Sequence, residues 1–165
     1  MRYEVTIAQK TYFESHKNLL LEDFFKESQT AEINKYSDEF DLWRNHPEIK
    51  KMSVSRELGE IIFQLTSTRP VQLIFDRIAK NETVDLTQTS FQGLVAGVLV
   101  FQRSILVFSP LIPIDLTEKA LLIGYGELGS VFIRNETDPY ASQTKRRGVN
   151  YGDSLNTDDY PLIYR

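Results

Sequence analysis

The sequence carries one glycine-rich motif of the kind that can cradle a phosphate, Gly124-x-Gly126-x-x-Gly129. In dinucleotide-binding proteins such glycines follow a strand and open a helix, whose backbone N–H groups contact the pyrophosphate. Here the residues after Gly129 are β-branched, and Pro139 interrupts them soon afterwards. The motif therefore predicts a nucleotide binder as a third interpretation, behind the simpler one of a helix end followed by a tight turn.

Arg134 and Glu136 form a second candidate for chemistry. Arg134 ends a strand-like stretch, SVFIR, and Glu136 lies two positions further on; on a continuing strand this spacing places both side chains on one face. An arginine there can hold a substrate carboxylate while a glutamate transfers a proton. The same spacing also suits an exposed ion pair that contributes little. Both interpretations stay open at this point.

The residue inventory excludes several classes of site. There are no cysteines, which excludes disulfides, thiolate metal sites and cysteine nucleophiles. His16 and His46 stand far apart and fit no zinc-binding spacing, so no metal is expected. The net charge of −4 argues against a nucleic-acid partner, because phosphate binding favours a basic surface. The basic run Lys145-Arg146-Arg147 has no interleaved aromatic residue and is predicted to lie in a solvated loop.

The distribution of apolar residues predicts a cytoplasmic protein. No apolar run approaches the roughly 20 residues of a membrane-spanning helix, and the start, MRYEVTIAQK, lacks the features of a signal peptide. A chain of 165 residues is long enough for one hydrophobic core. We predict a single domain made of an N-terminal strand and helix region (1–51), a sheet-forming core (52–137), and a loop with a short C-terminal strand (138–165).

Periodicity predicts the N-terminal elements. Tyr3, Val5 and Ile7 alternate with polar residues, which indicates a strand, and the apolar positions of 15–28 have helical spacing. The polar residues 29–51 are predicted to be irregular or partly helical, with Trp43 as a core anchor.

The remaining elements follow from similar patterns. Residues 53–67 predict a helix with one buried stripe, capped by Ser53 or Ser55, and residues 71–76 predict a strand. The apolar runs 93–101 and 104–113 predict an antiparallel hairpin, because only Gln102-Arg103 separates them. Asp115 begins a capping-box-like sequence that predicts a short helix over 117–124. A last short strand is predicted in the final YPLIYR.

Three short motifs are similar to those of a known family. Ser53, Ser55, Arg56 and Leu58 stand in the places of a helix motif in the chorismate pyruvate-lyase superfamily, whose architecture the effector-binding domains of GntR-type regulators share. The stretch SILVFSPLIPIDL (104–116) resembles the family's strand that ends in a hydrophobic corner. Residues 126–131, followed by 134–137, resemble its leucine–glycine turn and the polar segment beyond it. The likeness covers about residues 40–137.

The resemblance implies a fold, an activity and a set of site residues. The fold is α+β, an antiparallel sheet flanked by helices, with a buried pocket for an aromatic carboxylate. The activity is elimination of pyruvate from chorismate to leave 4-hydroxybenzoate, without a metal or organic cofactor. Arg134 and Glu136 take the catalytic roles, and substrate binding falls to Gln92, which replaces a family arginine, together with Arg56 and Gly129. A glutamate that the family carries on a final strand has no counterpart before the last residue of this sequence.

The sequence therefore leaves three functional hypotheses. The first is a chorismate-lyase-like protein that binds or cleaves a small carboxylated aromatic or cyclic compound. The second is a non-catalytic small-molecule sensor or protein-interaction module on the same fold, which leaves a protein partner possible. The third is a nucleotide binder that uses Gly124, Gly126 and Gly129.

Overall fold

Six antiparallel strands form the main sheet of the protein. The structure is a computed structural model that describes residues 3–165. The first two residues, which belong to the start predicted to lack a signal peptide, lie outside the described part. In spatial order the strands are β1 (Asn18–Leu21), β5 (Ser104–Phe108), β4 (Phe91–Phe101), β7 (Ala120–Phe132), β2 (Val71–Ala79) and β8 (Leu162–Tyr164). A separate two-stranded sheet pairs β3 (Glu82–Val84) with β6 (Ile114–Leu116).

The helices are few and short. They are α1 (Ile7–His16), α2 (Glu27–Thr30), α3 (Pro47–Ser53), α4 (Arg56–Thr66) and α5 (Ala141–Arg146). Over residues 3–165, none of them has both the length and the apolar character needed to cross a membrane. The α+β class, with an antiparallel sheet and flanking helices, is confirmed.

Elements whose sequence signals are local occur where the sequence predicts them. Helix α4 buries Leu58, Ile61 and Ile62 completely, and the hydroxyl of Ser55 caps it by accepting from the N–H of Leu58 at 3.4 Å. Strands β4 and β5 form the predicted hairpin, which closes with Phe101 paired to Ser104. The last short strand is present as β8.

The two predictions for the N-terminal elements are wrong. Residues 3–7 do not form a strand, because Thr6 and Gln9 build a capping box that starts α1 at Ile7. The helix predicted over 15–28 is replaced by the edge strand β1, which pairs with β5 along its whole length. Lys17 takes a left-handed conformation, φ 64°, that ends α1 directly before this strand.

The helix predicted over 117–124 is also wrong. Residues 120–132 form β7, and Asp115 lies in β6, where its carboxylate accepts a 2.7 Å hydrogen bond from the hydroxyl of Thr83. Gly124 is neither a helix stop nor a turn. It lies in mid-strand beneath the ring of Phe75, and a Cβ at this position would overlap that ring.

Two hydrophobic clusters cover the two faces of the main sheet. One face packs against the helices through residues such as Ile49, Met52 and Ile61. The opposite face, here called the inner face, carries four phenylalanines and is covered by Val84 of β3 and Leu116 of β6; the phenylalanines are Phe75, Phe91, Phe108 and Phe132. The inner face is therefore the interior between the large and the small sheet.

Candidate functional site

The two residues predicted to be catalytic form an ion pair on the surface. Arg134 Nη2 lies 2.9 Å from Glu136 Oε1, and their side chains are 70% and 80% exposed. Both follow the end of β7 rather than lying within it. The contact agrees with the surface-pair interpretation, and the catalytic roles stay predictions.

Of the three predicted substrate-binding residues, Gln92 and Gly129 lie on the paired strands β4 and β7, whereas Arg56 lies on a helix. Arg56, at the start of α4, is 3.7 Å from Glu60 and its side chain is 80% exposed. Gln92 is exposed near the start of β4, and Gly129 is exposed in β7 with φ +83°. The glycine motif is thus part of a strand with no helix after it, a geometry that offers no helix N-terminus to a phosphate. The binding roles of these residues stay predictions.

A cavity at the rim of the inner face is the strongest candidate for a ligand site. Its volume is about 380 Å³, which falls in the usual range for small-molecule pockets. It lies between β2, the segment from β3 to β4, and residues that precede α5. The lining consists of Phe40, Phe75, Arg77, Glu82, Thr83, Asp85, Gln88, Thr89, Phe91, Asp138, Pro139 and Tyr140.

Four aromatic rings stand in a nearly parallel row along this cavity. Tyr140 and Phe40 have centroids 5.2 Å apart and an interplanar angle of 11°. Phe40 continues to Phe75 at 5.8 Å and 8°, and Phe75 to Phe91 at 5.7 Å and 11°. Such offset stacking is a favoured arrangement of aromatic pairs. We call this row the aromatic wall.

The aromatic wall is assembled from four separate parts of the chain. Phe75 and Arg77 share a face of β2, whereas the strand predicted from the sequence ended at residue 76 and did not include Arg77. Phe40 reaches them because its backbone bridges Arg77 at the edge of β2. Tyr140 is held by its own N–H, which donates a 2.9 Å hydrogen bond to Asp138. No sequence pattern predicted this site, because its residues come from segments that are distant along the chain and meet only in the folded protein.

Arg77 is the cationic member of the lining. Its Nη2 lies 2.6 Å from Glu82 Oε1 and its Nη1 lies 3.2 Å from Glu82 Oε2, so the two side chains form a bidentate pair. The guanidinium carbon also lies 4.9 Å from the centroid of the Tyr140 ring. Arg77 is therefore fixed in place by an anion and a ring.

Directly behind the cavity, Asp76 points to the opposite face of β2 and is fully buried. Its carboxylate accepts from the hydroxyl of Ser53 at 2.7 Å and from the N–H of Trp43 at 3.2 Å. Burial raises the pKa of Asp76 to about 7, and the hydrogen bond from Ser53 opposes this shift. The carboxyl of Asp76 therefore keeps its proton to a higher pH than an exposed aspartate does.

A second buried carboxylate, Asp41, lies beside the edge of β2. Its Oδ2 is 3.2 Å from Arg44 Nε and 3.4 Å from Arg147 Nε. Burial raises the pKa of Asp41, and the charges of Arg44 and then Arg147 oppose that shift. Arg147 thereby ties the residues after α5 to the edge of the main sheet.

A larger depression of about 670 Å³ lies elsewhere, between the β4–β5 turn and residues 27–34. Its lining is mainly polar and includes Gln102, Arg103 and Glu118 around the turn. The smaller cavity is the better ligand site because specific pockets are predominantly apolar with a few fixed polar groups.

The chain matches no protein-family model and no curated protein. Solved structures do match it. SnoK, a non-heme alpha-ketoglutarate-dependent carbocyclase from nogalamycin biosynthesis, aligns over 96% of this chain and 96% of its own with a TM-score of 0.72 and 10% identity. HygX from Streptomyces hygroscopicus, solved with nickel and 2-oxoglutarate bound, aligns over 94% of this chain and 99% of its own with a TM-score of 0.56 and 14% identity.

A third match is CT296 from Chlamydia trachomatis, with a TM-score of 0.60 and 22% identity over 76% of this chain and 97% of its own. The matches point away from chorismate lyase, so the predicted lyase activity is wrong, as is the sensor alternative that assumed the same chorismate-lyase fold. The nucleotide alternative is wrong because its three glycines lie within strand β7. The kinship with the chorismate pyruvate-lyase superfamily likewise gains no support.

The side chains of this protein do not fit a non-heme iron site. Such oxygenases hold iron with two histidines and one carboxylate. Within the part of the chain that the structure describes, no three His, Cys, Asp or Glu side chains are grouped to hold a metal ion. His16 stacks on Tyr12 with centroids 4.0 Å apart, whereas His46 lies 3.3 Å from Glu39. The chain shares the fold of the 2-oxoglutarate-dependent enzymes. Because the sequence identities are only 10–14%, the similarity establishes the fold and not the activity.

Proposed function

We propose that this protein binds a small, flat ring compound in the cavity at the rim of the inner face. The aromatic wall is the observation that carries this proposal. Phe40 and Tyr140 are half-buried and give a planar ligand an aromatic surface to pack on, while Phe75 and Phe91 are buried behind them. Each aromatic contact contributes about 0.5–1.5 kcal/mol beyond the area it buries. HygX, which has the same fold, was solved with the small molecule 2-oxoglutarate bound.

The proposal is for binding and includes no iron-dependent step, because the described residues lack the donors for the metal. The cavity also suits 2-oxoglutarate poorly. That compound is a dianion, and the pocket's cation, Arg77, already faces both oxygens of Glu82. A flat ring compound needs no such cation.

The carboxylated ring compound predicted from the sequence is one possible occupant. Its ring can stack on the aromatic wall, but its carboxylate would have to displace Glu82 to pair with Arg77. It would also meet the carboxylates of Asp85 and Asp138 in the lining. We therefore propose a ring compound without a negative charge.

Calorimetric titration and thermal unfolding with a set of flat ring compounds test the proposal. The probes are indole, benzamide, benzamidine and 4-hydroxybenzoate, and we expect at least one uncharged or cationic ring to bind. A ligand present at 100 times its Kd should stabilise the protein by about 2.7 kcal/mol. Phe40→Ala, which removes one ring of the aromatic wall, should weaken that binding about tenfold.

Tyr12→Ala is the matched control, because it removes an exposed ring that stacks on His16 outside the cavity. Its binding should equal that of the unmodified protein. The proposal is overturned if none of the three uncharged or cationic compounds binds, or if Phe40→Ala and Tyr12→Ala bind equally well.

A further inference from the structure

The charges around the cavity are unevenly divided. The lining contains one cation, Arg77, and three carboxylates, Glu82, Asp85 and Asp138. Glu82 uses both of its oxygens to hold Arg77, at 2.6 and 3.2 Å, so these two charges balance each other within the wall. The remaining carboxylates, Asp85 and Asp138, therefore make the electrostatic potential in the cavity negative.

Neutral donors fix both of these carboxylates without neutralising them. Asp85 Oδ1 accepts from the N–H of Thr87 at 3.0 Å and from its hydroxyl at 2.6 Å. Asp138 accepts from the N–H of Ser90 through Oδ2 and from the N–H of Tyr140 through Oδ1, each at 2.9 Å. Because these donors carry no net charge, two negative charges remain at fixed positions on the cavity lining.

The aromatic wall favours the same sign of charge. Aromatic rings present a negative face, and a cation placed over that face is attracted by it. The stacked rings and the uncompensated carboxylates both favour a ligand with a positive charge. An anion would meet repulsion from Asp85 and Asp138 and would find Arg77 already paired.

We propose that the ligand is a flat ring compound that carries a positive charge, such as an aromatic amidine or a protonated aromatic amine. The inference rests on the proposed function, since it names the class of compound that the same cavity takes. Asp85 and Asp138 act as the residues that select for charge. The half-buried rings of Phe40 and Tyr140 select for planarity.

Three compounds of nearly equal shape separate charge from stacking. Benzamidine is a planar cation, benzamide is its neutral counterpart, and benzoate is the anion. We expect calorimetry to show benzamidine at least tenfold tighter than benzamide, and benzoate weaker than both. Raising NaCl from about 0.05 to 0.5 M should weaken benzamidine and leave benzamide unchanged, because salt screens the charge and not the ring contact.

The double variant Asp85→Asn/Asp138→Asn should remove most of the preference for benzamidine over benzamide. Asp158→Asn, an exposed carboxylate outside the lining, is the control and should keep it. If the double variant fails to fold, the single variants and the salt series measure the same preference. Equal binding of benzamidine and benzamide overturns the charge inference but leaves the proposed function intact, whereas no binding by any of the ring compounds overturns both.

Discussion

The hydroxyl of Ser53 donates a 2.7 Å hydrogen bond to Asp76 across 23 positions of sequence and ties the end of α3 to the middle of β2. Tyr125 of β7 strengthens this junction, because its hydroxyl donates at 2.7 Å to the carbonyl of Ser53. The carboxyl of Asp76 is completely buried, although Phe75 and Arg77 on either side of it line the cavity. Strand β2, which carries Phe75 and Arg77 of the candidate site, is therefore anchored on its opposite face by the buried carboxyl of Asp76.

The first prediction concerns the pH dependence of folding stability. The carboxyl of Asp76 releases its proton near pH 7 in the folded protein, against an ordinary pKa of 3.8. Between these values the folded state holds more protons than the unfolded state, so the free energy of unfolding falls as pH rises. The fall should reach up to about 4 kcal/mol between pH 4 and 7 and then level off.

Urea denaturation over this pH range measures the effect. Asp76→Asn should lose most of the slope, because the amide does not titrate. A smaller slope should remain from Asp41, whose pKa is raised in the same direction by burial. Asp158→Asn, which replaces an exposed carboxylate, should keep the full slope. An unchanged slope in Asp76→Asn would contradict the assignment.

The second prediction concerns the packing of the inner face. A Cβ at Gly97 would overlap the ring of Phe108, which is fully buried. Gly97→Ala should therefore lower the free energy of unfolding by about 1–3 kcal/mol, because the ring has no free space into which to move. The measurement is denaturant unfolding of the purified variant.

Phe108→Leu supplies the control for this packing prediction. A smaller side chain at position 108 leaves room for the alanine, so Gly97→Ala should cost less in the Phe108→Leu background than in the natural one. Strictly additive effects of the two substitutions would show that the ring and the glycine are not coupled.

The sequence predicted elements whose signals are local. In α4, helical spacing of the apolar residues and the cap at Ser55 suffice to define the element. In the hairpin of β4 and β5, two apolar runs around Gln102-Arg103 do the same. The stretch SVFIR, which contains the end of strand β7, was predicted to be strand-like, but the rest of β7 was missed because its glycines resemble a helix end. Gly124 is a strand residue that pairs with Phe75 of β2, and the position is a glycine because the ring of Phe75 leaves no room for a Cβ.

The candidate site depends still more on distant contacts. Phe75 belongs to the strand predicted over 71–76, but Arg77 lies beyond its predicted end. Phe40 and Tyr140 join them through sheet-edge pairing and a loop. No local pattern encodes those approaches. The sequence pattern instead pointed to Arg134 and Glu136, which are exposed. Their spacing could not separate a functional pair from a surface ion pair, because a surface ion pair needs no packing partner.

The third prediction tests the catalytic roles assigned to Arg134 and Glu136. Their ion pair is exposed on both sides, so Arg134→Ala and Glu136→Gln should each change the free energy of unfolding by less than about 0.5 kcal/mol. Neither variant should alter the affinity for a ring compound that the cavity binds. A tenfold loss of affinity in either one would instead support a role for that residue in the site.

The fourth prediction concerns Arg147, which links the segment after α5 to the buried carboxylate of Asp41 at 3.4 Å. Arg147→Ala leaves Asp41 with Arg44 as its neighbouring cation, and a buried charge with less compensation is costly. Because the Arg147 side chain is itself 39% exposed, the loss of stability should be about 1 kcal/mol. Amide hydrogens over residues 141–160 should then exchange faster, because local opening of this segment becomes easier.

Arg146→Ala is the matched control for the Arg147 prediction, since Arg146 is an exposed neighbour that keeps the Asp41 contact intact. Its exchange rates should equal those of the unmodified protein. Tyr140 of the aromatic wall directly precedes this segment, so a bound ring compound should slow exchange over 141–160, and should slow it least in Arg147→Ala. Identical exchange in the two arginine variants would show that the contact with Asp41 does not hold this segment on the sheet.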